Sequence, residues 1–133
     1  MSYAIHTYFL DEKEYDEELV FDSVRNLFIG TNRVQFAITK NIFTKKDFLK
    51  LTVDNSYSIS VFFDIDANVS GDLEFITGQK LNCKYRLRFL FAPDPENNFD
   101  DIGVIILDHL QSLDKVILYS VNRNKIIFNS FKK

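Results

Sequence analysis

Few groups in this chain have the chemistry of a nucleophile, a base or a soft metal ligand: one thiol, Cys83, and two imidazoles, His6 and His109. Nucleophilic catalysis through Cys83 needs a base, and those two histidines are the only imidazoles available. Cys83 stands in phase with Tyr85, Leu87 and Phe89, which predicts a buried, inert thiol. His109 falls on the apolar stripe of a helix and reads as a core or boundary histidine. His6 alternates with Ile5 and Thr7 on a strand and is expected to face solvent. Three ligands at metal spacing cannot be assembled locally from these residues, so no metal or other cofactor is expected.

Asp64-Ile65-Asp66 is a carboxylate pair of the kind that chelates magnesium or shares acid and base work. Its simpler reading is a solvated strand end. Gly30, Gly71, Gly78 and Gly103 lie too far apart to form a phosphate loop. The segment from Asp94 to Asp100 has acidic spacing like that of a calcium loop, but Phe99 stands where glycine is needed and Ile105 where the terminal Glu belongs. Lys84, Arg86 and Arg88 form a basic face that could meet phosphate. They read instead as a solvent-facing sheet surface, and no nucleic acid is expected as a partner. No catalytic residue is assigned, and the chain reads as non-enzymatic.

Acidity is the strongest local signal. Asp11, Glu12, Glu14, Asp16, Glu17 and Glu18 precede or open a helix, relieved only by Lys13. Acidic residues complement a helix dipole there, but two or three of them suffice for that. A second set, Asp94, Glu96, Asp100 and Asp101, lies between a strand and a second helix. If the strands before the two helices run parallel, both sets share one sheet edge, and Asp64 and Asp66 can join them. That would form a negative surface suited to steering a basic protein partner.

The elements that position these residues follow from periodicity. Tyr3 to Leu10 reads as a strand, and Tyr15 to Ile29 as a helix with Leu19, Val20, Val24, Leu27 and Phe28 at helical spacing and Gly30 as its C-terminal cap. Val34, Phe36 and Ile38 alternate as a half-exposed strand. Thr44 to Asp47 resembles a helix start, with one or two turns or a loop to follow. Ser56 to Ile65 is a strong strand. Asn68 to Asp72 carries turn chemistry, with a short strand from Leu73 to Thr77 after it. Asn82 to Phe91 alternates as a strand and ends at Pro93 and Pro95; Phe99 to Leu113 has helical spacing despite Gly103. Val116 to Val121 and Lys125 to Phe131 flank Asn122-Arg123-Asn124 as a hairpin. The fold class is α+β: a mixed, largely antiparallel sheet of five to seven strands with two main helices on one face.

Residues 1–133 read as a single domain, with 46% hydrophobic residues, 14 Phe and 6 Tyr to build its core. The formal net charge of -3 is small, so any electrostatic message is local. A lone cysteine makes no internal disulfide, and no apolar run approaches the ~20 residues of a membrane span. The chain opens without a secretory pattern, and a cytoplasmic protein with no membrane partner is expected.

The opening Tyr3-Ala4-Ile5-His6-Thr7-Tyr8-Phe9, the acidic helix start, the aromatic strand Tyr57 to Phe63 and the tail Asn122-Arg123-Asn124-Lys125-Ile126-Ile127-Phe128 together resemble small bacterial immunity proteins. These are encoded beside polymorphic toxins, including those of contact-dependent inhibition systems. The resemblance covers the whole chain without a diagnostic motif. It implies a non-enzymatic inhibitor that binds a cognate toxin stoichiometrically and covers its active site, its acids opposing the substrate groove if the toxin is a nuclease; a monomer or weak dimer is expected. Tyr8, Tyr15 and Phe99 are expected as exposed aromatic anchors. An adaptor or chaperone-like interaction module, dimeric through an edge strand or hairpin and binding through apolar surface, is the second reading. A small-ligand site or weak enzyme around Asp64, Asp66 and His109 is the third.

Overall fold

The computed structural model describes residues 3–10, 14–43, 45–65 and 67–130. Its elements are β1 (Tyr3–Phe9), α1 (Glu17–Asn26), β2 (Val34–Lys40), β3 (Asp47–Val53), β4 (Tyr57–Ile65), α2 (Ala67–Thr77), β5 (Tyr85–Phe91), α3 (Asp100–Gln111), β6 (Val116–Ser120) and β7 (Lys125–Asn129). The fold is α+β, with seven strands in one sheet ordered β2-β3-β4-β5-β1-β6-β7. Every neighbouring pair is antiparallel.

Period-two alternation divides the sheet's side chains between two cores. Ile5 and Phe9, Leu49 and Leu51, Ile59 and Val61, Leu87 and Phe89, and Val116 and Leu118 point to one face, where Val20, Phe21 and Val24 of α1 and Ile102, Ile106 and Leu110 of α3 cover them. Tyr8, Leu10 and Ile117 point to the other face and meet Val69 and Leu73 of α2, together with Cys83. The two main helices thus share a face, and α2 packs on the opposite one.

Two segments differ from expectation. Asp47–Val53 is a strand, with Leu49, Leu51 and Val53 fully buried; Phe48, apolar but on the opposite face, hides the alternation. Residues 68–77 belong to a helix rather than to a turn and a strand. Asn68, Ser70, Gly71 and Asp72 are turn formers locally, yet Val69, Leu73 and Ile76 recur at helical spacing and dock on the sheet, so packing overrides propensity. Gly103 inside α3 has a packing reason, since a Cβ there would stand 3.3 Å from the Tyr3 hydroxyl. The first helix ends earlier than expected, at Asn26, with Leu27 rather than Gly30 as its C-cap; Gly30 lies three residues further on in the following turn, with φ +102°, a conformation that favours glycine.

The strands before α1 and α3 are β1 and β5, and they pair antiparallel, Phe9 opposite Tyr85 and Tyr3 opposite Phe91. The segments leading into the two helices therefore leave the sheet at opposite ends. The condition for one continuous acidic edge is not met.

Phe89 lies at the centre of the helix-covered core with no exposed surface, so Phe89→Ala is expected to cost about 3–5 kcal/mol in chemical denaturation. Thr7 is equally buried, between Leu87 and Leu118 in register, and among the described residues its hydroxyl is the one buried side-chain polar atom without a hydrogen-bond partner. Removing that hydroxyl with Thr7→Val is expected to raise stability by about 1–2 kcal/mol, whereas a loss would mean that the hydroxyl is satisfied.

Candidate partner-binding site

The acidic run before α1 is split by the helix it opens. Asp16 is the N-cap: its extended backbone, φ -105° and ψ 129°, lets its carboxylate accept a 2.9 Å hydrogen bond from the Glu18 amide. Glu14 and Asp16 then stand on the flank of α1 that faces α3. There they rim a cleft of about 290 Å³ with Phe9, Leu87 and Leu113 among its apolar lining. Tyr15 and His109 also line it. The Tyr15 ring is held by Phe9, with ring centres 4.7 Å apart, and edge-on by Tyr85 at 5.3 Å. Burial lowers the pKa of His109, which favours its neutral form in this setting. Leu19, on the same flank, is 68% exposed.

Glu17 and Glu18 turn to the other flank of α1, beside Phe21, Arg25, Ile38 and Asp47. Partial burial, followed by the charges of Asp47 and Asp16, raises the pKa of Glu17. Asp11, Glu12 and Asp66 lie outside the described residues.

The second acidic set is largely occupied at the other end of the sheet. The Asp94 carboxylate accepts hydrogen bonds from the amides of Asn98 at 3.0 Å and Phe99 at 2.9 Å, ordering the loop before α3. Arg33 ties Asp101, at 2.6 Å, to Asp54, at 2.9 Å. The hydrogen bond from Arg33 leads the lowering of the Asp101 pKa. Glu96 and Asp100 remain exposed. Phe99 is half-buried, stacked on Tyr57 with ring centres 4.4 Å apart, and Tyr8 is 1% exposed; of the three expected anchors, Tyr15 is the one that borders the cleft.

Asp64 corrects the expectation of a solvated strand end. It is 7% exposed and points to the α2 face, where it accepts from Arg86 Nε at 2.9 Å and Arg88 Nε at 2.7 Å. Arg86 also reaches Asp72 of α2 at 2.7 Å. Burial alone would raise the Asp64 pKa, but the hydrogen bonds and charges of Arg88 and Arg86 hold it below its ordinary value. Arg86 and Arg88 are therefore engaged in a semi-buried ionic network rather than displayed as a basic surface. Arg88 also lies 4.7 Å from the centre of the Phe62 ring.

His6 is half-buried on this same face, contrary to the expected exposure. Burial first, then the charges of Arg86 and Arg88, lower its pKa to about 4. His109 packs with the opposite face, so Asp64 and His109 do not converge.

No family model, curated protein or solved structure matches this chain. Sequence reasoning missed the cleft itself, whose lining comes from β1, α1, β5 and α3, the segment before α1 and Leu113 just after α3; the one signal in the sequence was Tyr15 beside two acids. No helix among the described residues is long and apolar enough to cross a membrane.

His6 generates a pH test. Its folded pKa lies below the unfolded value near 6.5, so the unfolded chain binds the extra proton first. The stability that neutral His6 contributes is complete above pH 6.5 and lost as pH falls through about 4. His6→Gln is expected to flatten the pH dependence of the urea midpoint across that window; an unchanged slope would place its source elsewhere. Asp64→Ala leaves two guanidinium groups without their shared carboxylate and is expected to cost roughly 3 kcal/mol at neutral pH by the same assay.

Proposed function

We propose that this protein is a non-enzymatic inhibitor of the immunity type, which neutralises a cognate toxin domain by forming a stoichiometric complex in the cytoplasm. One observation carries the reading: an open apolar cleft between α1 and α3, rimmed by Glu14 and Asp16 and flanked by exposed Leu19. Its size suits one or two large side chains, and its rim suits a basic partner. An apolar anchor of the toxin enters the cleft while neighbouring Lys or Arg side chains meet the two carboxylates. Because Asp16 caps α1, its carboxylate is positioned before the partner arrives. The separation of Asp64 from His109 by the sheet supports the non-enzymatic reading over a hydrolytic site built on that pair.

The adaptor reading is favoured by different residues. Ile42, Phe43 and Phe75 are all at least 80% exposed and lie apart from the acidic rim. Binding through them would be indifferent to neutralising Glu14 and Asp16.

Co-expression with the polypeptide encoded beside this chain is the direct test. Toxicity abolished through a one-to-one complex is the expected result; no toxicity and no complex would contradict the reading. Within such a complex, Glu14→Lys with Asp16→Ser removes both carboxylates and keeps a helix cap. The double variant is expected to associate several-fold more slowly at low salt, with the difference shrinking at high salt and the unfolding midpoint nearly unchanged. Equal association rates at low salt would remove the rim from the mechanism.

A further inference from the structure

Among the described residues β2 is a terminal strand of the sheet, and it lacks the features that commonly blunt such an edge. Sheet edges in monomeric proteins are commonly blunted by shortness, a bulge, proline or an inward charge. The β7 edge fits that pattern, with five residues and a register shift between Leu118 and Tyr119 in its pairing with β6. The β2 edge does not: it has seven residues, Val34-Gln35-Phe36-Ala37-Ile38-Thr39-Lys40, in unbroken register with β3 and without proline.

The directions of its backbone groups follow from its two ends. The Asp54 amide donates to the Arg33 carbonyl at 2.8 Å, and the Asn41 amide donates to the Lys46 carbonyl at 2.9 Å. Odd-numbered residues therefore bond toward β3, and the alternation of an antiparallel ladder turns the N–H and C=O groups of Val34, Phe36, Ile38 and Lys40 to the free edge. Ile38 is 49% exposed on the helical face, whereas small or polar Gln35, Ala37 and Thr39 occupy the other face.

We propose that β2 pairs antiparallel with β2 of a second copy of this chain, about a two-fold axis through Ala37, joining the two sheets into one. This register sets Phe36 opposite the partner's Ile38, and Val34 opposite the partner's Lys40, each a pair with two hydrogen bonds between outward-facing groups. The exposed flank of Ile38 is then covered by the partner's Phe36. The groove between α1 and β2 carries both signs, with Glu17, Glu18 and Asp47 at one end, where Lys40 stands opposite Asp47, and Arg25 paired with Asp22 toward the other. The pairing therefore rests on the outward backbone groups and on the fit of Phe36 against Ile38. The surface lies on the flank of α1 that faces away from the cleft, so dimer formation leaves the acidic rim open.

Sedimentation equilibrium and a cysteine scan test the pairing. The wild-type chain is expected to shift with concentration toward twice its 15.6 kDa mass, and Ala37→Lys, which sets two like charges together at the axis, to remain monomeric with an unchanged unfolding midpoint. Ala37→Cys is expected to form an interchain disulfide under mild oxidation, because non-hydrogen-bonded antiparallel pairs bring their Cβ atoms close. Thr39→Cys is expected not to, unless Gln35→Cys is added to supply its partner. Cys83 is buried and does not compete. A wild type that stays at the monomer mass at the highest concentrations would overturn the pairing and leave the edge to a strand of some other chain. Equal cross-linking of Ala37→Cys and Thr39→Cys would overturn the register and with it the proposed interface.

Discussion

The insertion of β1 between β5 and β6, antiparallel to both, is the constraint on which the rest of the molecule depends. It makes the first strand central, so that Ile5 and Phe9 join the core under α1 and α3 while Tyr8 and Leu10 join the core under α2. It also fixes where charge can gather. With β1 and β5 opposed, the chain enters α1 at one end of the sheet and α3 at the other, and two acidic segments that are alike in sequence are separated in space. One is used internally, through Asp94 and the Arg33 bridge; the other presents Glu14 and Asp16 at the mouth of a cleft.

The two faces of the sheet solve different problems. The helical face is apolar apart from the occasional residue such as Thr7, and its stability comes from area removed from water. The α2 face carries an ionic network, in which one buried carboxylate serves two guanidinium groups and Arg86 extends to Asp72 on the helix. A buried network of this kind offers little net stability but has few alternative arrangements. It ties α2 to β4 and β5 in one orientation, complementing the small apolar contact of Val69 and Leu73.

How much of this was legible follows from which interactions are local. Strands β4 and β5 declare themselves by alternation, and α1 and α3 by helical spacing. The misread segments are those where local and tertiary preferences disagree. Phe48 is apolar on a face where a polar residue would signal a strand, because it stacks on Phe62 across the sheet with ring centres 4.8 Å apart. Asn68, Ser70 and Gly71 spell a turn, but Val69 and Leu73 find a partner surface that no local rule contains. The site was legible only in its acids. Which of them share a surface is a property of strand order, and the burial of Asp64 depends on Arg86 and Arg88, more than twenty residues away along the chain.

The proposed function seats a partner in the cleft between α1 and α3, and hydrogen exchange on the complex with the adjacent-encoded polypeptide reads that placement. Added protection is expected in the segment from Glu14 to Ser23 and around His109 to Leu113, with the α2 face unchanged. Protection centred instead on α2 and the exposed strand surfaces of that face, with the cleft unaffected, would rule the placement out.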